Sequence, residues 1–559
     1  MQKKILRNCV CGMILIAFCL STMTGCGLFG NKEDETVDST SSDVVTSTDV
    51  ETSTDVETST DVETLIDTES ETEAGSDVET STETESMTDT ETEELTEESE
   101  TINDSDTLGD YDFDGAKYNV LSRASTIREW DHNKNEHGTT VANAVYTRNQ
   151  LVQQRVNVKI VVEEIGGWWN NDWGKSPWFA KYQTVTQSGW SEYSIVTGHF
   201  SLAQAAALRG FCMDMTTLEG LDVEKEWWSE KFYDRCNLKG KFYVLVGDAT
   251  YSMYEEMYIT FFNETMAEAL LKDSNGDPID LYELVRNDEW TWEKMKQFMV
   301  LVSNTDATLE DDKEYGFIAG TGAMRSYASA FEIEYAESRE IDGYVIYSFP
   351  QSPAARTVNI LDEMSSFLTV TAVNSVKMNI GDEEGNQIFS EGRALFLNQR
   401  LGQVTKIGSA MVNGQEYGIL PYPKYDDDQL EYHVGCYDGL SGITVPRNVK
   451  DTEMVGVVTE AIGMYSYEEV TPAYLDTVLG GRYLASQDMA DMMNLIRESF
   501  DISFFNAYSG AMGTPHVFSA TDSMFGGNSQ GYASYYAERL SQYSSHLAAF
   551  YKAYGIIVD

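Results

Sequence analysis

Polar and aromatic side chains stand close together at a handful of places in this sequence: Glu129 with Trp130, His199 with Phe200, Asp248 with Tyr251, Tyr327 in a Gly/Ala-rich stretch, Asn398 with Arg400, and Tyr437 with Asp438. Carboxylates, amides and guanidinium groups make paired hydrogen bonds, and an aromatic ring covers an apolar face. The pairings therefore suit a guest with hydroxyls in fixed directions and a C–H face, such as a carbohydrate. For each aromatic the competing reading is plain packing, and an isolated histidine such as His199 has a structural reading too. The six histidines stand singly, and no CxxC, HExxH or GxxxxGK(S/T) spacing occurs. No metal site, cofactor or nucleotide is predicted, and no catalytic residue is assigned.

The elements that would carry these residues alternate in type. Residues 117–121, 156–162, 193–196 and 241–246 read as strands, the last introduced by the turn-like Lys239-Gly240, with helical runs at 141–152 and 203–208. The middle becomes more helical, at 280–285, 291–303 and 355–368; strand-like runs return at 394–397, 417–420 and 441–445 before helices finish the chain. β-branched apolar runs alternating with helical periodicity indicate an α/β arrangement with crossover connections. Ligands of open α/β sheets sit beyond the carboxyl ends of strands, which is what joins the strand runs to the polar and aromatic pairs named above.

The beginning of the chain has a different chemistry. Lys3, Lys4 and Arg7 precede an apolar core around 13–18, too short for a settled membrane span and expected to be a secretory signal over residues 1–25. Met23-Thr24-Gly25-Cys26 resembles a lipobox, so Cys26 is the expected lipid anchor. The formal net charge is -54, and about half of it lies between Gly30 and Asp110, where STDVET is read three times from Ser47 to Thr64. With little apolar surface and like charges throughout, 26–110 is expected to be a disordered stalk. As a coil of about 80 residues it would reach roughly 50 Å. A solubilising acidic tail is the blander reading. An acidic surface repels phosphates, which argues against nucleic acid as a partner. Beyond the anchor the cysteines are Cys212, Cys236 and Cys436, an odd number that is no disulfide framework. One pair, with Cys212 and Cys236 nearest in sequence, and free buried thiols remain equal alternatives.

From residue 111 onward the composition is that of a globular protein, and about 450 residues exceed what one core usually supports. Its fragments resemble the extracellular solute-binding proteins of family 1, the sugar-binding components of ABC importers. The resemblance is carried by Ala144-Val145-Tyr146-Thr147-Arg148-Asn149 leading into Val156-Asn157-Val158, by Trp227-Trp228, Lys239-Gly240-Lys241-Phe242-Tyr243, Phe262-Asn263, Trp290-Thr291-Trp292 and Tyr315-Gly316-Phe317. It continues in Phe389-Ser390-Glu391-Gly392-Arg393-Ala394-Leu395-Phe396, Gly418-Ile419-Leu420-Pro421-Tyr422-Pro423-Lys424, Val445-Pro446 and Thr471-Pro472-Ala473-Tyr474. The resemblance implies a two-lobed periplasmic-binding-protein-like fold of type II, with discontinuous lobes joined by a hinge. Approximate bounds are 111–250 with 432–500 for the first lobe, and 251–431 with 501–559 for the second.

It also implies a cleft that closes on an unaltered solute; the strand-end rule makes Glu129, Trp130, His199, Phe200, Asp248, Tyr251, Tyr327, Asn398, Arg400 and Tyr437 the candidate ligand contacts. The expected partners are a small solute, first an oligosaccharide, and the permease subunits of an importer. The chain is expected to be a monomer on the extracellular face of the cell membrane. A wall-bound adhesion module and a surface glycosidase are the alternatives. Trp227 and Trp228 read as structural, since the family carries that pair generally. The family often has Asp in the third strand, where Tyr193-Ser194 stands here, and Lys after Phe-Asn, where Glu264 stands. The run of Trp168, Trp169, Trp173, Trp178 and Trp190 has no evident counterpart. These departures bear on the ligand rather than the fold.

Overall fold

The computed structural model describes residues 106–556, apart from 167–175, 303–308, 310–311, 321, 342–343, 373, 413, 482–485, 513–515 and 526–529. The signal, Cys26 and nearly all of the stalk lie outside the described residues, as do Trp168, Trp169 and Trp173. In chain order the strands are β1 (Ala116–Arg123), β2 (Val158–Ile165), β3 (Ile195–His199), β4 (Tyr258–Asn263), β5 (Tyr315–Gly320), β6 (Glu337–Ile341), β7 (Tyr344–Ser348), β8 (Val376–Ile380), β9 (Ala394–Arg400), β10 (Tyr417–Leu420) and β11 (Ser441–Thr444).

They form two α/β lobes and a hairpin. The first sheet has the order β11-β3-β1-β2 and the second β10-β4-β9-β5-β8, while β6 and β7 pair alone. In the first sheet β1 runs parallel to both β2 and β3, and β11 is antiparallel to β3. In the second, β5 is parallel to β8 and β9, while β4 and β10 run antiparallel.

β1 is buried on both faces, as a central strand with crossover helices must be. Tyr118 and Val120 join the main core, whereas Leu121 points the other way into a smaller cluster with Trp178, Phe179 and Tyr182. The helix Thr139–Val156 presents Val141, Ala144, Val145, Arg148, Val152 and Val156 inward at helical spacing. It stops at Asn157, whose φ of 48° is the left-handed conformation that ends helices. Trp178 donates to Thr197 O at 2.8 Å. A Cβ on Gly198 would lie 2.6 Å from that indole, so only glycine lets the ring reach β3. Trp190, by contrast, is 66% exposed.

The segment 241–246, expected as a strand, is extended but hardly paired. Leu245 exchanges two hydrogen bonds with Ile443, of 2.9 and 3.0 Å, and Lys241 bridges Leu238 around the turn. At Gly247 the chain is packed so closely that a Cβ would meet Trp227 O at 2.3 Å, and the ladder does not continue. Trp227 and Trp228 are both buried. Cys212, Cys236 and Cys436 are free and buried, which decides between the two alternatives for the thiols. The closing helices contact both lobes: Tyr551 Oη donates to Tyr347 O of the β6–β7 hairpin, and Tyr508 Oη donates to Cys236 O in the first lobe. Among the described residues, no helix is long and apolar enough to cross a membrane.

Candidate ligand-binding seam

The chain passes from the first sheet to the second between β3 and β4 and back between β10 and β11, and the two crossings are hydrogen-bonded to each other. Tyr258 N donates to Gly435 O at 2.9 Å and Tyr437 N to Glu256 O at 2.8 Å. Val434 N donates to Ser499 O at 2.8 Å and Asp501 N to Val434 O at 2.9 Å, which adds the segment that follows the helix Gln487–Glu498. On one flank of this ribbon the carboxyl ends of parallel strands from both lobes converge. β1 ends at Arg123 and leads into the short helix Ala124–Glu129; β3 ends at His199 and leads into Phe200–Leu208. From the second lobe come Ala323–Ser326 after β5, Asp382–Ser390 after β8, and Arg400 with Leu401–Gln403 from β9.

The side chains at these ends form a charged seam. Arg400 Nη1 lies 2.8 Å from Glu256 Oε2 and its other amino group pairs with Asp382. Its guanidinium also lies 5.4 Å from the centre of the Tyr437 ring, and that ring meets His199 edge-on at 6.2 Å between centroids. Ser201 donates to Asp438, and Arg325 pairs with Asp522. On the first-lobe side Arg128 Nη2 and His137 Nε2 hold the two oxygens of Glu255 at 2.6 and 2.7 Å. Burial alone would raise the Glu255 pKa, but His137 and Arg128 outweigh it and hold the carboxyl below its usual range. Burial drives the His199 imidazole down to about 4, so at neutral pH it is an uncharged donor and acceptor.

Several buried groups on this seam have no hydrogen-bond partner: Arg123 Nε, Ser125 Oγ and His199 Nδ1 from the first lobe, and Ser326 Oγ from the second. Buried polar atoms are nearly always satisfied, and a guest lying between the strand ends is one source of the missing partners. A cavity of about 450 Å³ also touches the crossings, between Arg235, Tyr335, Tyr347, His433, Asp501 and Phe504. There Arg235 lies 3.5 Å from Asp501 and His433 Nε2 3.1 Å from Glu332, while His433 Nδ1 and Asp501 Oδ1 have no hydrogen-bond partner.

Of the ten sequence-derived candidates, His199, Arg400 and Tyr437 meet on the seam. Glu129 lies just beneath, accepting from Ser252 N at 2.8 Å and from Ser441 Oγ at 2.7 Å, so it ties the end of β1 to a crossing and to β11. Tyr251 stacks on Tyr474 at 4.7 Å and takes a hydrogen bond from Asn135. The other five lie in packed interior. Trp130 sits under Arg148, and Phe200 turns inward onto Phe232. Asp248 accepts from Tyr254 Oη and Thr471 Oγ1, both at 2.6 Å. Tyr327 and Asn398 bond to each other at 2.9 Å with no exposed surface. Sequence reasoning missed Arg123, Arg128, Glu255, Glu256, Arg325 and Asp382.

The structure resembles that of a cyclo/maltodextrin-binding protein complexed with maltotetraose, at 14% sequence identity and a TM-score of 0.50, over 80% of this chain and 99% of that one. The two share their fold. Two further likenesses are an ABC substrate-binding protein from Listeria monocytogenes in complex with cycloalternan (12% identity, TM-score 0.45, 79% and 100% coverage) and an ABC transporter solute-binding protein from Thermotoga lettingae bound with alpha-D-tagatose (10%, 0.44, 78% and 100%). No family model matches the sequence, and no curated protein matches it. The two-lobed α/β fold expected from the resemblance is therefore the fold observed.

Among the described residues no group of three or more His, Cys, Asp or Glu could hold a metal ion. The stretch 527–531 has GxSxG spacing, and its residues 527–529 lie outside the described residues.

Proposed function

We propose that this protein is the solute-capturing component of an ABC importer, held outside the cell by lipid on Cys26 and a stalk of residues 26–110, and that it binds an oligosaccharide without altering it. The observation that carries the reading is the seam. Unsatisfied polar groups from both lobes lie beside the hydrogen-bonded crossings, so one guest can complete both sides at once. A ligand that makes more contacts when the lobes meet favours that arrangement by its differential affinity alone. The shared fold with a protein whose structure holds maltotetraose supports a saccharide as the guest. Hydroxyls suit the seam's carboxylates and guanidinium groups, and Tyr437 offers a ring for a C–H face. The captured solute would then pass to a permease driven by a separate ATPase.

The test is thermal stabilisation of the folded region by a panel of oligosaccharides, combined with product analysis. Stabilisation with the sugar recovered intact is the expected result. Shortened products would instead make the protein a surface glycosidase, and binding only to insoluble wall polymer would make it an adhesion module.

A further inference from the structure

Accepting the seam as a saccharide site, we propose that its solute is anionic, an oligosaccharide bearing carboxylate, sulfate or phosphate groups, and that Arg123 is the residue that selects for the charge. Arg123 is the last residue of β1, where the parallel strands of the first lobe end, and only 5% of its surface is exposed. A buried guanidinium is normally matched by a carboxylate, because removing a charge from water is costly. Here the match is missing. One amino group donates to Gly439 O at 2.9 Å, a neutral acceptor, and Nε has no partner.

The acids nearby are already engaged. Glu129 uses both oxygens on Ser252 N and Ser441 Oγ, Glu256 and Asp382 hold Arg400, Glu255 holds Arg128 and His137, Asp438 takes Ser201, and Asp522 takes Arg325. The other three arginines of the seam thus have carboxylate partners within ion-pair distance, and Arg123 alone among them does not. Glu129 and Glu256 act on it through space only. The groups left open around it are able to donate: Nε–H of Arg123, the Ser125 hydroxyl and a ring nitrogen of uncharged His199. A neutral sugar hydroxyl could accept one of these bonds but would leave the buried charge unmatched. An anionic oxygen accepts from several donors at once and neutralises the guanidinium, and such charge-assisted bonds are about twice as strong as neutral ones.

The experiment is calorimetric titration and thermal shift of the folded region with uronate, sulfated and phosphorylated di- to tetrasaccharides, each beside its neutral counterpart. The wild type is expected to favour at least one anionic sugar over its neutral counterpart by roughly tenfold or more, the worth of a hydrogen bond to a charged group. Arg123→Gln should abolish that preference, and Arg123→Lys should retain part of it. Where Arg123→Gln fails to fold, the wild-type preference and Arg123→Lys still decide. Binding of neutral sugars with no anionic preference, or an unchanged preference in Arg123→Gln, overturns the inference and leaves solute capture standing. A lack of binding to every sugar overturns both.

Discussion

Glu460 shows how a single carboxyl can set the pH response of the first lobe. It lies under the Trp227-Trp228 pair, accepting from Trp228 Nε1 at 2.9 Å and Asp222 N at 3.2 Å through one oxygen, while the other has no partner. Burial lifts its pKa to about 7 against those two hydrogen bonds. In the unfolded chain a glutamate titrates near about 4.3. Between these values the folded protein holds a proton that the unfolded chain has released, so stability falls as pH rises through that window. The loss is complete above about pH 7 and amounts to roughly 4 kcal/mol. Glu460→Gln keeps an acceptor for both donors and carries no charge. Its melting temperature should exceed the wild type's at pH 8, with the difference shrinking towards pH 4; parallel melting curves across that range would contradict this assignment. A second prediction concerns the tie beneath the seam. Ser441→Ala leaves Glu129 Oε2 buried without its donor and should cost about 2 kcal/mol in denaturant unfolding.

Packing between elements explains why certain residues of the sequence resemblance stand where they do. In Tyr315-Gly316-Phe317 the glycine lies where β5 meets the helix Trp292–Met299; a Cβ there would sit 1.9 Å from Met299 O. Gly316→Ala must therefore push strand and helix apart, and we expect a loss of about 3 kcal/mol or failure to fold. In the Lys239-Gly240 turn both residues have positive φ, 54° and 76°, the backbone that closes a tight hairpin. Gly240→Ala should cost about 1 kcal/mol, and a melting temperature unchanged from wild type would count against the turn. Strands carried by β-branched runs, such as β1, β2 and β3, were legible in the sequence because their buried faces demand that composition. β8 was not: Val-Lys-Met-Asn-Ile is a half-exposed edge strand with no apolar run. Its loss hid Asp382, which follows it directly. Arg123 was missed because the sequence suggested an end to β1 two residues early. At the turn after β3, sequence adjacency gave no direction: His199 faces the seam, while Phe200, one residue on, faces the core. Trp130, Asp248, Tyr327 and Asn398 were chosen by residue type at expected strand ends and loops, which cannot show that their partners lie within packed interior.

At the scale of the whole molecule, two crossings and the segment 499–501, joined by four backbone hydrogen bonds, hold two lobes whose strand ends face one another. Such a ribbon fixes the axis about which the lobes can turn, and side chains at the strand ends set what they close upon. The tether is a separate matter. If Cys26 carries lipid, Cys26→Ala should shift the protein from the membrane fraction to the medium with solute binding intact; a variant that stays with the membrane would reveal another anchor. The claim that one guest engages both lobes is tested most directly by hydrogen–deuterium exchange with and without a saccharide that stabilises the protein. The account predicts slower exchange at 123–129 and 199–201 of the first lobe together with 320–327 and 399–403 of the second, at the same ligand concentration. Protection confined to one lobe would contradict it.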